Sequence, residues 1–269
     1  SWTVRSTGNQ WGNTAVAVGT LSLGASNALP ENTILSIGQP DNSDAAFDLN
    51  GYDQTVAGLA DNGQIGGLRK ITNSGSSESE LTINNSSDFT YSNLIEDGSG
   101  KVSLIKTGKG TQILSRTSHT FSGKTVIENG TLAVASEGSI YNGGMIDGEM
   151  IIKRGGTFRI DRQDIFGGHL SFPSVTITID SGGVLKSNGF FNTLGPIVLN
   201  GGTLLADGGD STYGWGVWSL HGKVSVIGSN TSFIATGAGS ANYIKIGNCN
   251  AGGTTEFDVA DSAYGDDLV

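Results

Sequence analysis

Between Val102 and Val134 the chain never keeps an apolar run long enough, or periodic enough, to build a helix. It reads Val-Ser-Leu-Ile-Lys-Thr-Gly-Lys-Gly-Thr-Gln-Ile-Leu-Ser, a polar turn at Arg116 to His119, then Thr-Phe-Ser-Gly-Lys-Thr-Val-Ile-Glu-Asn-Gly-Thr-Leu-Ala-Val. These are short runs of β-branched and aliphatic residues cut by glycine or by Asn129-Gly130, the pattern of strands joined at tight corners.

The same unit returns further on. Following the apolar residue after each Gly-Thr-Leu-like corner gives Leu132, Phe158, Leu185, Leu204, Phe233 and Phe257, at intervals of 26, 27, 19, 29 and 24 residues. That is the length of a solenoid coil, a unit that buries its apolar face only against its neighbours. Because strand side chains alternate between faces, Val134, Ile160, Ser187, Ala206, Ala235 and Val259 share the inward face with that column. Ala133, Arg159, Lys186, Leu205, Ile234 and Asp258 then point outward. A preceding strand is expected in each coil, at Thr125 to Ile127, Met150 to Ile152, Val175 to Ile179, Ile197 to Leu199, Val224 to Ile227 and Tyr243 to Ile246. Corners such as Gly155-Gly156 and Asn200-Gly-Gly202 separate the pairs; hairpins are the rival local reading. Less regular strands are expected at Thr20 to Leu23, Ile34 to Ile37, Ala46 to Leu49, Thr55 to Ala57 and Leu81 to Ile83, with Trp2 and Trp11 as material for an end cap.

The fold class expected is therefore all-β, a right-handed single-stranded parallel β-helix of about ten coils running through residues 1–269 as one domain. Composition agrees, with 43 glycines and only 4 prolines in 269 residues and no long run of one residue type. A net charge of −10 with scattered Lys and Arg argues against a nucleic-acid partner. No segment approaches the length of apolar sequence that spans a membrane as a helix. Cys249 stands alone, so no internal disulfide is available. Opening on Ser-Trp-Thr and closing on Asp-Asp-Leu-Val, the chain reads as a piece of a larger protein.

Lys106-Thr-Gly-Lys-Gly-Thr111, Phe121-Ser-Gly123 and Asn129-Gly-Thr-Leu-Ala-Val134 resemble the autotransporter-associated β-strand repeat of bacterial surface and secreted proteins. A second likeness lies upstream, in Leu23 to Pro30, Thr33 to Ile37 and Phe47 to Leu59. The resemblance implies a right-handed parallel β-helix, placed outside the cell or on its surface, and says less about function.

Candidate chemistry lies in the segments that leave the inward column at one corner of successive coils. They carry Tyr141, then Phe166 and His169, then Phe190-Phe191, and finally Asp207, Asp210, Tyr213, Trp215, Trp218 and His221. Coils repeat about every 4.8 Å, comparable to the advance per sugar of an extended polysaccharide, so stacked rings could each lie under a pyranose while Asp207, Asp210 and His221 bond its hydroxyls. The other reading of the loop is that Trp215 or Trp218 folds back over Leu205 and Ile234.

The chain's character also resembles the β-helical carbohydrate-binding modules found beside xylan-degrading enzymes. That resemblance implies a non-catalytic module for a β-linked plant polysaccharide such as xylan, covalently linked to a catalytic domain. The alternatives are a structural stalk of an autotransporter passenger or adhesin, and a polysaccharide lyase or hydrolase. Asp161, Arg162 and Asp164 form the one compact acid-base set for the last, with Gly168-His169 a faint echo of polygalacturonases; the remaining elements of that family are missing. His119, His169 and His221 lack metal-ligand spacing, and no calcium-loop motif occurs. No metal or cofactor is expected.

Overall fold

The computed structural model describes residues 1–61, 67–116, 119–135, 148–166, 173–208, 217–238, 242–247 and 254–260. Two compact units, Ser1–Thr125 and Val126–Val269, divide the chain. Among the described residues every regular element is a strand.

In the first unit the strands fall into parallel faces whose spatial order follows the chain. One face runs Trp2–Val4, Gly19–Leu23, Ala45–Asp48, Arg69–Thr72 and Leu94–Ile95, a second Thr14–Val16, Ile34–Ile37 and Gly58–Asp61, and a third Gln54–Val56, Ser79–Ile83 and Val102–Lys106. Every pairing is parallel, and the chain returns to each face in sequence order, so neighbouring strands of a face come from successive circuits. Parallel crossovers of this kind are right-handed in nearly every known sheet. Identical faces stack on themselves: Leu21, Phe47, Ile71 and Ile95 lie in register, as do Leu35 with Leu59 and Leu81 with Leu104. From the second coil inward these side chains are buried, which gives the unit one continuous apolar core.

The second unit repeats the plan. Its first face is Gly130–Val134, Gly156–Ile160, Val184–Asn188, Thr203–Asp207 and Phe233–Thr236. A second runs Met150–Ile152, Ile177–Asp180, Ile197–Asn200, Gly222–Val226 and Thr255–Val259, and a third Asn192–Leu194, Trp218–Leu220 and Ile244–Ile246. The fold is thus a parallel β-helix with two or three strands to a coil among the described residues. The hairpin alternative fails, because the two strands flanking each tight corner pair with the next coil and not with each other.

Register confirms the inward column over four rungs, Leu132, Phe158, Leu185 and Leu204, with Val134, Ile160, Ser187 and Ala206 beside them, all buried. Ser187, the one polar member, is satisfied locally: its hydroxyl donates to the Phe190 carbonyl at 2.7 Å and accepts the Phe190 N–H at 3.1 Å. The fifth rung departs from expectation. Ile234, and not Phe233, follows Leu204, and Thr236 follows Ala206. The corner before it, Ile227 to Ser232, is longer than Asn200-Gly-Gly202, and the Ser232 hydroxyl reaches back to accept the Gly201 N–H at 2.9 Å. Phe257 does not continue this column at all; it pairs with Val224 on the second face. Ala133, expected outside, is buried. At the start of the chain, the Trp11 indole donates to Thr14 Oγ1 at 2.9 Å, whereas Trp2 lies exposed on an edge strand.

Candidate functional site

The Lys106 to Thr111 motif serves coil packing. Lys106 lies in register with Ile83, and its ammonium donates to the Gly108 carbonyl. Burial lowers its pKa from 10.5 to about 8, against the opposing attraction of Asp88. Gly108 passes so close to the previous coil that a Cβ there would sit 2.0 Å from the Asn85 carbonyl oxygen. The Asn85 side chain then ties the coils, donating to Ser87 O at 2.7 Å and Thr111 O at 3.0 Å. Gly123 is under the same constraint, with a Cβ position 2.3 Å from Val102 O, and Phe121 is buried in the core.

Three aspartates of the first unit repeat one device. Asp48 accepts the N–H of Ser74 at 2.9 Å and its hydroxyl at 2.7 Å, together with the Asn50 N–H at 2.9 Å and the Ser22 hydroxyl at 3.2 Å. Asp61 takes Ser92 in the same way, N–H at 2.9 Å and hydroxyl at 2.6 Å, and Asp97 takes Ser122 at 3.0 and 2.6 Å. Each carboxylate therefore clamps the serine of a later coil through charge-assisted bonds. Amide side chains fill gaps in the ladders. Gln54 accepts from the Leu29 N–H at 2.9 Å and donates to Leu29 O at 3.1 Å, and Gln112 does the same with Leu59 at 3.0 and 3.1 Å. Sequence reading missed this use of Asp, Ser and Gln; the signal available was the recurrence of Asp and Ser about one coil apart.

Of the residues expected on the aromatic edge, Phe166, Phe190, Asp207, Trp218 and His221 are among the described ones. Trp218 is fully buried and sits on the third face in register with Asn192 and Ile244; its indole N–H donates to Leu205 O at 3.1 Å. This corrects the stacking role expected for it, since a ring without exposed surface has no face to offer a sugar. Phe166 is corrected for the same reason: it is buried against Phe158, with ring centroids 6.1 Å apart. Phe190 is 40% exposed. Asp207 is ion-paired to Lys186 at 2.9 Å, and that neighbour holds its pKa below the usual carboxylate value. The His221 backbone N–H donates to Leu194 O at 2.8 Å, continuing the third-face ladder. Tyr141, Asp210, Tyr213 and Trp215, like His169 and Cys249, lie outside the described residues.

Beside the third face lies a half-buried cation that the sequence did not single out. Lys245 Nζ lies 5.9 Å from the ring centroids of both Phe191 and Tyr243, a cation–π arrangement two coils deep. The acid-base set proposed for a lyase is otherwise engaged. Asp161 is bound bidentately by Arg159 at 2.7 to 2.9 Å, and Arg162 and Asp164 are buried. Among the described residues no group of three His, Cys, Asp or Glu side chains could hold a metal ion, and no helix is long and apolar enough to cross a membrane.

Residues 104–134 match the passenger-associated-transport-repeat family. Over 153 residues, 55% of the chain, the sequence is 31% identical to the adhesin BmaC autotransporter of Brucella suis biovar 1 (strain 1330). The chain spans 4% of the length of that relative. No solved structure matches. Nothing in these matches supports the likeness to xylan-associated binding modules. They agree with the packing of Lys106, Gly108, Phe121 and Gly123: the chain is a parallel β-helix carrying one recognisable bacterial passenger-associated transport repeat, similar over half its length to an autotransporter adhesin.

Proposed function

We propose that this chain is a non-catalytic spacer segment of a bacterial surface-exposed or secreted passenger protein, a stalk that sets distance between other parts of that protein. The observation that carries the reading is how the repeat residues are spent. Lys106, Gly108, Phe121, Ser122 and Gly123 all bond to, bury in or make room for neighbouring coils. The likeness to an autotransporter adhesin supplies the setting, and host protein or another cell would be the partner of the parent molecule.

A second reading, a binding module for a β-linked plant glycan such as xylan, is favoured by one observation on the second unit: the exposed Phe190 is next in sequence to Phe191, whose ring, with that of Tyr243, lies under Lys245. One experiment separates the two. The purified chain is screened on affinity gels of xylan, β-glucan, mannan, cellulose and pectin, with reducing ends assayed in the same tubes. The stalk reading predicts neither retardation nor product. Retardation on one glycan, abolished by Phe190→Ala or Tyr243→Ala, would replace it with the binding module, and new reducing ends would replace both with an enzyme.

A further inference from the structure

The first unit buries a histidine that the coil-packing account leaves unused. His119 is 2% exposed, its ring edge-on to Phe121 with centroids 6.2 Å apart. Its Nδ1 accepts the Ile95 N–H at 3.0 Å, where a regular parallel ladder would offer a backbone carbonyl. An accepting Nδ1 places the single ring proton on Nε2, and Nε2 is buried with no hydrogen-bond partner among the described residues. Only the neutral ring fits. A second proton would set donor against donor at Ile95 and leave a charge in an apolar site.

The rung it closes is short. Leu94–Ile95 is a two-residue strand at the end of its face, joined to the following segment by the Glu96–Thr120 bridge, by the Thr120 N–H to Ile95 O bond of 3.1 Å and by the Asp97 clamp on Ser122. The neighbouring charges give an imidazolium little help. Arg116 repels it, Glu96 is ion-paired to Lys70 at 2.6 Å, and Asp97 already accepts from the Val102 and Ser122 N–H groups and the Ser122 hydroxyl.

We propose that His119 is a proton-operated latch: neutral, it holds the Leu94–Ile95 rung closed on residues 119–122, and protonated it releases that rung while the other coils stay paired. Burial, and then the Arg116 charge, lower its pKa from 6.5 to about 3 in the closed form. Between those values the open form binds a proton that the closed form does not, so closure is strongest well above pH 6.5 and, below it, opening grows about tenfold for each unit the pH falls towards 3.

The test is hydrogen exchange by mass spectrometry on the intact chain at pH 7.5 and 5.0, corrected for the intrinsic pH dependence of exchange. Peptides spanning 94–97 and 119–122 are expected to lose about thirtyfold in protection at the lower pH. Peptides over Ile34–Ile37 and Ala45–Asp48, in the same unit, are expected to hold theirs, and His119→Gln, which keeps an acceptor that does not titrate, is expected to show no pH effect. Equal protection at both pH values, a parallel loss in His119→Gln, or uniform loss through the unit would overturn the latch. Should His119→Gln fail to fold, the wild-type imidazole resonances decide: a ring still neutral below pH 5 supports the proposal, and a midpoint near 6.5 refutes it.

Discussion

Replacing Trp218 separates the core assigned to it from the ligand surface its loop suggested. The indole is fully buried on the third face of the second unit, and its N–H answers the Leu205 carbonyl at 3.1 Å. Trp218→Ala removes a large ring from a packed interior and should cost about 3–5 kcal/mol, the range for aromatic truncations in cores. Trp218→Phe keeps most of the volume but strands a buried acceptor, which should cost about 1–3 kcal/mol. Urea unfolding followed by far-UV circular dichroism reads both, and avoids the loss of a fluorophore. For a second unit that unfolds cooperatively, with a slope of about 2 kcal/mol/M, the alanine variant's midpoint should fall by about 1.5–2.5 M and the phenylalanine variant's by about 0.5–1.5 M. An alanine variant with an unchanged midpoint would refute the burial argument. If it also lost affinity for a glycan, Trp218 would return to the surface.

Three other substitutions probe how coils are joined. Asp48→Ala strands the Ser74 and Asn50 N–H groups and should cost about 2–3 kcal/mol by urea titration, while Asp48→Asn, which keeps an acceptor, should cost less than half of that. Gly108→Ala forces a Cβ to within 2.0 Å of Asn85 O and should lower the thermal midpoint by several degrees, whereas the same change at exposed, uncrowded Gly12 should leave it within a degree or two. Lys106 titrates below its ordinary value, so from pH 8 to about 10.5 the unfolded chain holds a proton that the folded chain has released, and its contribution to stability rises with pH. Lys106→Met should therefore lose up to about 1.4 kcal/mol per pH unit of the upward slope that wild type shows in that window.

Much of the fold was legible because one coil buries nothing by itself. The inward residues therefore had to recur at coil length, and from Leu132 to Leu204 they do. The column was lost at Phe233 because the corner from Ile227 to Ser232 lengthened, and in a strand a slip of one residue exchanges the two faces. The third face was mostly illegible for a different reason, and its one expected strand, Tyr243 to Ile246, had been assigned to the second face. Asn192–Leu194 and Trp218–Leu220 are three-residue strands, too short for alternation to register, so the segments holding them read as loops. That single omission placed Trp218 on the expected binding edge instead of in the core. Phe166 followed the same route. The Asp–Ser clamps were hidden because their partners lie a coil apart and each residue alone resembles a turn. Lys245 between Phe191 and Tyr243 could be found only once Asn192, Trp218 and Ile244 were known to share a register.

The parallel coil register itself is open to a direct chemical measurement. Thr157 and Val184 are register partners in adjacent coils, at a strand separation of about 4.8 Å that a disulfide can bridge. In a Cys249→Ser background, Thr157→Cys/Val184→Cys should oxidise to an intramolecular disulfide, and Thr157→Cys/Lys186→Cys, two residues out of register and about 8 Å apart, should remain reduced. Mass spectrometry of alkylated samples distinguishes the two states. Cross-linking of the first pair alone is the result a parallel β-helix requires; equal cross-linking of both pairs, or of neither, would contradict it.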